Sequence, residues 1–468
     1  MKLVHIAALF AATSCASLLS AQSFSHDISL SGMGNGNPSK TFGLTTDPSF
    51  NRLYVAVSGD FMGNNNIVAE IDTTTDTVVR TIQVGNYPED IALIFDPVTG
   101  TATSGAVTNS SDGTVSIWDL ASGAVTHTVQ LPDPFGLGSC YPFGITTGGP
   151  GLWVTTVDGS GAVYGIDTNT FLVDPNAEFN TSWKSNGRPL DTGSQVVVPT
   201  TAYTPTWSGS SAELFFTDST IAGTWSNLMA ENEGNYIFPG GQDVVELPNG
   251  DFVVGCLSTN ARLYIISPDG ELIRTIRLSS GGGAHGLALS ADGSLLVACD
   301  LPTGTISFVD MLNFSELASF QSSSTGQGYQ QPNDAVFCNG KVYVTCQGSE
   351  EVMVFDNLPT VNPGQGYAGE LAIGWAPSPD NPISFGLTVT GNGIVALFVS
   401  FDDLPSYYST VNLEIGPSPI LAGWGRNSFS KSWTIPINAP RGLNLFAQGV
   451  VDVIGMPVLT TPRVIVLP

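Results

Sequence analysis

Hydrophobic and polar positions alternate in short runs along most of this chain, and tight-turn dipeptides separate the runs. Asp243-Val-Val-Glu-Leu is followed by Asn249-Gly250 and then by Asp251-Phe-Val-Val-Gly-Cys256. The arrangement recurs in His285-Gly-Leu-Ala-Leu-Ser, Asp292-Gly293 and Ser294-Leu-Leu-Val-Ala-Cys299, and again in Asp334-Ala-Val-Phe-Cys, Asn339-Gly340 and Lys341-Val-Tyr-Val-Thr-Cys346. Asn-Gly and Asp-Gly tolerate positive φ, so each pair of runs predicts a β-hairpin. A third strand then ends in Asp (Asp72, Asp119, Asp167, Asp310 and Asp356), each placed to hydrogen-bond the backbone of the turn that follows. A fourth, amphipathic strand completes the unit.

The first strands of successive units are marked by Gly43, Asp90, Gly144, Asp243, Gly286 and Asp334, at intervals of 47, 54, 99, 43 and 48 residues. The interval of 99 spans two units, with the hidden marker expected near Ser194-Gln195-Val196-Val197-Val198. Seven four-stranded units are the arithmetic of a β-propeller. The seventh offers only three strands before its pattern ends near Tyr367. His26-Asp27-Ile28-Ser29-Leu30-Ser31 is expected to supply the fourth, closing the ring on its own N-terminus and leaving no free edge. The predicted fold is therefore all-β: a seven-bladed β-propeller over residues 22–374, then a C-terminal antiparallel β-sandwich over 375–468. The second boundary is drawn at the Pro-rich Trp375-Ala376-Pro377-Ser378-Pro379. Strand-like runs follow it at Ile383–Val389, Ile394–Phe401, Val411–Ile415, Phe429–Ile437, Leu443–Val450 and Arg463–Leu467.

Leu53-Tyr54-Val55-Ala56, the run from Ile71-Asp72-Thr73 through Thr81-Ile82-Gln83-Val84-Gly85, and Pro88 together resemble a YVTN-type β-propeller repeat. Tyr343-Val344-Thr345-Cys346 departs from the name-giving tetrapeptide only at its last position. The resemblance covers roughly residues 26–370. It implies the propeller fold. It does not choose an activity, because its lactonase-like, gluconolactonase-like and streptogramin-lyase-like relatives include hydrolases, lyases, redox subunits and binding proteins.

Composition narrows the setting. Met1-Lys2 and the apolar stretch Leu3–Ala12, with small residues running to Ala21, read as a signal peptide over residues 1–21. That run is shorter than the ~20 residues a spanning helix needs, so the expectation is a secreted protein, extracellular or periplasmic, without a membrane span. The chain has 40 acidic and 14 basic residues. Five acids and four bases lie beyond residue 375 and one lysine before residue 23, which leaves 35 acids against nine bases in the propeller segment. Such a field repels phosphate backbones, so nucleic acid is excluded as a partner. So few bases also argue against a phosphorylated-sugar substrate, which needs a cationic clamp. Five cysteines (140, 256, 299, 338 and 346) follow the signal segment, an odd number at irregular spacing that is no disulfide framework. Cys256, Cys299 and Cys346 end the second strands of consecutive units and are expected to act as small buried apolar residues.

Innermost strands of a propeller converge on an axis, so residues at their starts ring one mouth. These pairs are Phe42-Gly43, Glu89-Asp90, Phe143-Gly144, Gln242-Asp243, His285-Gly286 and Asn333-Asp334. The candidate ring is therefore Glu89, Asp90, Gln242, Asp243, Asn333 and Asp334, with His285 among them. Converging carboxylates repel one another, and oxygen ligands from different strands suit Ca²⁺, for which Asp90, Asp243 and Asp334 are the candidate ligands. The opposing expectation is that these side chains cap strand ends around ordered water. His285 is the candidate general base; His127, in Val125–Val129, is expected at the surface. No nucleophile elbow, His-Glu-x-x-His zinc motif, Walker loop or dinucleotide fingerprint occurs. Two functions follow as expectations. The first is an extracellular binding or scaffold module with an unknown ligand or protein partner. The second is a hydrolase or lyase of lactonase type with Ca²⁺ or His285 at the channel mouth.

Overall fold

The computed structural model describes residues 23–359 apart from short stretches, the longest being 202–209, 225–240 and 323–330; beyond residue 368 it describes only the backbone of the strands. The expected signal peptide, residues 1–21, lies outside the described residues. The chain forms two units, Ser20–Val361 and Asn362–Pro468.

In the first unit, six sheets are four-stranded and antiparallel, five of them with their strands in chain order. We number the sheets along the chain. Sheet 1 is Thr41–Asp47, Arg52–Asp60, Gly63–Asp72 and Thr77–Gln83; sheet 2 is Pro88–Phe95, Ala102–Asn109, Thr114–Asp119 and Val125–Gln130. Sheet 3 is Pro142–Gly148, Gly151–Thr156, Ala162–Asp167 and Leu172–Asn180. Sheet 5 is Gly241–Glu246, Phe252–Cys256, Arg262–Ile266 and Leu272–Arg277; sheet 6 is Ala284–Leu289, Leu295–Asp300, Thr305–Asp310 and Ser315–Gln321. Sheet 7 is Pro332–Cys338, Lys341–Cys346 and Glu351–Asn357, with Ser23–Ser29 as its outer strand. This is a β-propeller.

The repeat arithmetic anticipates seven four-stranded units, whereas six are found among the described residues. Sheet 4, between Thr181 and Gly241, is five-stranded. Its short Ser185–Asn186 and Leu190–Asp191 both pair with Gln195–Thr201, which continues to Ser210–Phe216 and Ile221–Thr224. Pro189 lies between the two short pieces. Proline has no N–H for a ladder and breaks an inner strand into fragments.

The core lies between sheets. Leu53, Val55 and Ile71 of sheet 1 pack with Tyr343, Val352 and Val354 of sheet 7, and on the other side Tyr54, Ala56 and Val68 pack with Ile91, Val107 and Trp118 of sheet 2. Trp153, Val163 and Phe179 of sheet 3 pack with Val196 and Val198 of sheet 4, whose Val197 joins Val244, Phe252 and Val254 of sheet 5. Strands in the middle of each sheet are buried on both faces and read as continuous apolar runs, while outer strands such as Val125–Gln130 are exposed along most of their length.

Closure uses the N-terminus. Ser23–Ser29 runs antiparallel to Glu351–Asn357, with Phe24 opposite Phe355, His26 opposite Val354 and Ile28 opposite Val352. Ile28 and Leu30 are buried in the core shared by sheets 1 and 7. Asp76 of sheet 1 ties the seam, accepting from Lys341 Nζ at 2.6 Å and Tyr343 Oη at 2.7 Å and lying 3.2 Å from His26 Nε2.

The turn chemistry is mixed. Asn339-Gly340 has φ of 52° and 76°, the two positive values a two-residue I′ hairpin needs. Only Gly250 and Gly293 are positive at the other two sites, where the loops are longer. Four third strands do end at their Asp. Asp72 accepts from the Thr74 amide, Asp119 from Ser122, Asp167 from Asn169 and Asp310 from both Leu312 and Asn313, at 2.7–2.9 Å. The strand at Asp356 runs one residue further, and its carboxylate instead accepts from Ser25 Oγ.

In the second unit, Gly369–Ala376 pairs with Ser384–Ser400, which also pairs with Ile420–Thr434 and Asn444–Val453. Met456–Leu459 and Arg463–Val466 complete a six-stranded antiparallel sheet, and Ser406–Tyr408 with Val411–Leu413 forms a separate hairpin. The expected breaks at 383–389 and 394–401 are one strand with a register shift between Thr390 and Ile394.

Candidate functional site

The starts of the inner strands do converge, and every charged residue the sequence placed there is buried: Glu89, Asp90, Asp243, Asp334 and His285 are each 5–6 % exposed. The three aspartates perform one repeated task. Asp90 accepts from its own strand at the Ile91 amide (2.9 Å) and from sheet 3 at the Ile145 amide (3.0 Å). Asp243 accepts from Val244 (2.9 Å) and from Leu287 of sheet 6 (2.7 Å); Asp334 accepts from Ala335 (2.8 Å) and from Leu44 of sheet 1 (3.2 Å). Each carboxylate therefore joins its sheet to the next around the axis.

Glycines make room for this. A Cβ on Gly43 would lie 2.5 Å from the Glu89 carbonyl and 2.9 Å from Asp90 Oδ1; one on Gly286 would lie 2.4 Å from the Asn333 carbonyl. A threonine latch missed in the sequence adds to it. Thr108 Oγ1 donates to the Phe143 carbonyl and Thr155 Oγ1 to the Gly187 carbonyl, both at 2.7 Å, and Thr345 Oγ1 donates to the Phe42 carbonyl.

That equivalence locates the hidden marker. Gly187 stands where Phe42 and Phe143 stand in their sheets, so Arg188 occupies the position of Gly43, Asp90 and Gly144. A Cβ on Gly144 would meet Arg188 Cα at 2.6 Å, as one on Gly43 would meet Asp90 Cα. The expected marker near 194–198 is thus displaced to 188, because Gln195–Thr201 is the second strand of sheet 4 and not its first. Arg188 is the site residue that sequence reasoning missed. Its side chain is 7 % exposed and sits among the three aspartates, with Nη1 3.2 Å from Asp334 and 3.6 Å from Asp243, and Nε 3.6 Å from Asp90. Among the described residues none of its three guanidinium nitrogens makes a hydrogen bond of good geometry.

The electrostatics follow from three buried carboxylates sharing one cation. Burial drives the carboxyl pKa values up and Arg188 offsets only part of this: Asp243 rises to about 7, Asp334 to about 6, and Asp90 also rises. Glu89 is pushed up to about 8, chiefly by burial, against the hydrogen bond from Ser110. Burial opposes the charge of Arg188, but its aspartate neighbours more than compensate and hold it protonated.

His285 is neutral at physiological pH. Burial, then the nearby guanidinium, lowers its pKa to about 3, while Nδ1 lies 3.2 Å from the Asn333 carbonyl. Its ring meets Phe42 and Phe143 edge to face, at centroid distances of 5.8 and 6.4 Å, and those two phenyl rings are 5.6 Å apart. Asn333 donates to the Phe42 carbonyl (3.0 Å), and Gln242 lends its carbonyl to the Arg188 amide (2.8 Å). Among the described residues no cluster of three or more His, Cys, Asp or Glu side chains is arranged to hold a metal ion. The five described cysteines are buried. His127, expected at the surface, lies in an exposed strand and stacks on Phe171 at 3.8 Å.

Glu89 offers a direct check on this electrostatic reading. A carboxyl of unfolded pKa ~4.3 that is raised on folding adds stability below that value and loses it as pH climbs through its folded pKa. Glu89→Gln should therefore remove about 1.4 kcal/mol of stability loss per pH unit from ~4 upward to the folded pKa, read by urea unfolding against pH. Parallel wild-type and variant curves would show that Glu89 is not buried as a neutral acid.

No protein-family model matches the chain, and no curated protein matches it. Among solved structures, Kuenenia stuttgartiensis hydrazine synthase is similar, with a TM-score of 0.54 and 17 % identity over 70 % of this chain and 98 % of that one. The β-propeller domain of Myceliophteria thermophila Cps50 (Swd1) follows, with a TM-score of 0.48 and 10 % identity over 72 % of this chain and 99 % of that one. The likeness is one of fold. No helix among the described residues is long and apolar enough to cross a membrane.

Proposed function

We propose that the chain is a secreted, extracellular binding or scaffold module: a YVTN-like seven-bladed propeller followed by a β-sandwich, with an axis that is structural and not catalytic. The packed interfaces on both sides of sheet 4 support counting it as the seventh blade. The observation that carries the functional reading is the aromatic contact at the starts of the inner strands. There Phe42, Phe143 and His285 meet edge to face, and His285, at a pKa of about 3, is too weak a base for neutral-pH proton abstraction. Arg188 supplies the positive charge for which Ca²⁺ was one candidate, and each axial aspartate is already engaged by two amides. The signal-peptide pattern supports export, and the acidity of the propeller supports a partner other than nucleic acid. The resemblance to hydrazine synthase supports the fold and transfers no chemistry.

A hydrolase or lyase reading retains one support, the raised carboxyl pKa values that also mark catalytic acids. Metal analysis of purified protein with a panel of lactones and esters separates the two. We expect no stoichiometric Ca²⁺ and no turnover above the rate of His285→Ala. Stoichiometric Ca²⁺ with turnover abolished in that variant would overturn the proposal.

A further inference from the structure

We propose that the propeller axis is a proton-holding site in which Asp90, Asp243, Asp334 and Glu89 share one guanidinium and carry protons at mildly acidic pH, Asp334 releasing its proton first as the medium turns alkaline. The argument begins with charge. Sheet 2 contributes Asp90 and Glu89, sheet 5 Asp243 and sheet 7 Asp334, all buried, and sheet 4 contributes the single cation that contacts the three aspartates among the described residues, Arg188. Sheet 6 adds His285, held neutral by burial and the guanidinium, and Cys299, whose thiol burial pushes well up, so neither carries a charge. Four ionised carboxyls against one guanidinium would leave three uncompensated buried charges, each costing several kcal/mol in a low-dielectric interior. Protons remove that cost without moving any backbone.

Geometry selects which carboxyl ionises first. Asp334 lies 3.2 Å from the guanidinium, whereas Asp90 and Asp243 are 3.6 Å away. Glu89 Oε2 has no hydrogen-bond partner among the described residues, which suits a neutral acid and not a carboxylate. The proton affinities run in the same direction, with Asp334 at about 6, Asp243 at about 7 and Glu89 at about 8. Release therefore falls in the range where a secreted protein meets changes of medium.

Infrared spectroscopy of the whole chain tests this through the carbonyl stretch of protonated carboxylic acids. The band should be present at about pH 5.5 and lost by about pH 9, well above the ordinary carboxyl range. It should diminish in Asp243→Asn and in Glu89→Gln, and remain unchanged in Asp72→Asn, whose exposed carboxyl is held low by its turn. Absence of the band at the lower pH, or a band indifferent to both axial substitutions, would overturn the proposal. If Asp243→Asn does not fold, carboxyl-carbon NMR of the wild type decides: aspartate resonances titrating between about pH 6 and 8 are expected, and all titrating below about pH 5 would refute it.

Discussion

Replacing Arg188 with Met should destabilise the propeller by about 3–5 kcal/mol at about pH 8, because removing one partner of a buried ion cluster strands the others. The methionine side chain is apolar and replaces the arginine as far as Nε, so the aliphatic packing is kept and the loss is chiefly electrostatic. Its sign against pH follows from the neighbours. Asp243 and Asp334 have folded pKa values of about 7 and 6, above their unfolded value, so the stability tied to their protons is present at low pH and lost as pH rises through that window. Without the guanidinium the window moves higher still. Most of the loss should therefore be regained at about pH 5, where the aspartates hold protons and need no cation. Urea unfolding of both proteins at the two pH values measures it. An equal loss at both would mean that Arg188 acts by packing alone.

The second large effect is at the seam. Removal of residues 23–30 withdraws Ile28 and Leu30 from the core shared by sheets 1 and 7 and uncovers the edge of Glu351–Asn357. A large-to-small change at one such buried aliphatic costs about 2–5 kcal/mol, and losing both with their backbone ladder should exceed ~5 kcal/mol. An unpaired edge also invites intermolecular strand pairing, so the truncated chain should associate with rising concentration. A synthetic peptide of residues 23–31 should bind the edge and restore the thermal transition, since main-chain pairing drives strand addition. Unchanged stability after truncation would show that the ring does not depend on this strand.

Much of this was readable from the chain because hairpin chemistry is local. Asn339-Gly340 and the Asp-terminated third strands announce themselves, and Ile28 and Leu30 match the fourth-strand pattern closely enough to predict closure. The cluster of Glu89, Asp90, Asp243, Asp334 and His285 followed once the repeat set the register. Arg188 escaped because its strand is broken at Pro189 and carries no apolar run, so the only visible apolar segment in that interval, Gln195–Thr201, took its place. Thr108, Thr155 and Thr345 escaped for the opposite reason: threonine is common in strands, and nothing local distinguishes a latch from a filler. The long Ser384–Ser400 strand reads as two because Gly391-Asn392-Gly393 looks like a turn, where the register shift of a bulge accommodates it.

The aspartates also explain why a buried, unevenly charged axis persists. An isolated carboxylate at a strand start costs desolvation, but each of these replaces two amide–water hydrogen bonds with charge-assisted ones, and one of the two belongs to a different sheet. The axis is then a set of ties across Asp90 to Ile145, Asp243 to Leu287 and Asp334 to Leu44, centred on one guanidinium.

Native-state hydrogen exchange at the amides of Leu44, Ile145 and Leu287 tests that picture most directly. If the axial carboxyls bind neighbouring sheets together, these three N–H groups exchange only through global unfolding and belong to the slowest class in the protein. Exchange as fast as that of the exposed turn amides at Val98 and Thr99 would mean that the axis is open and that its charged residues tie nothing together.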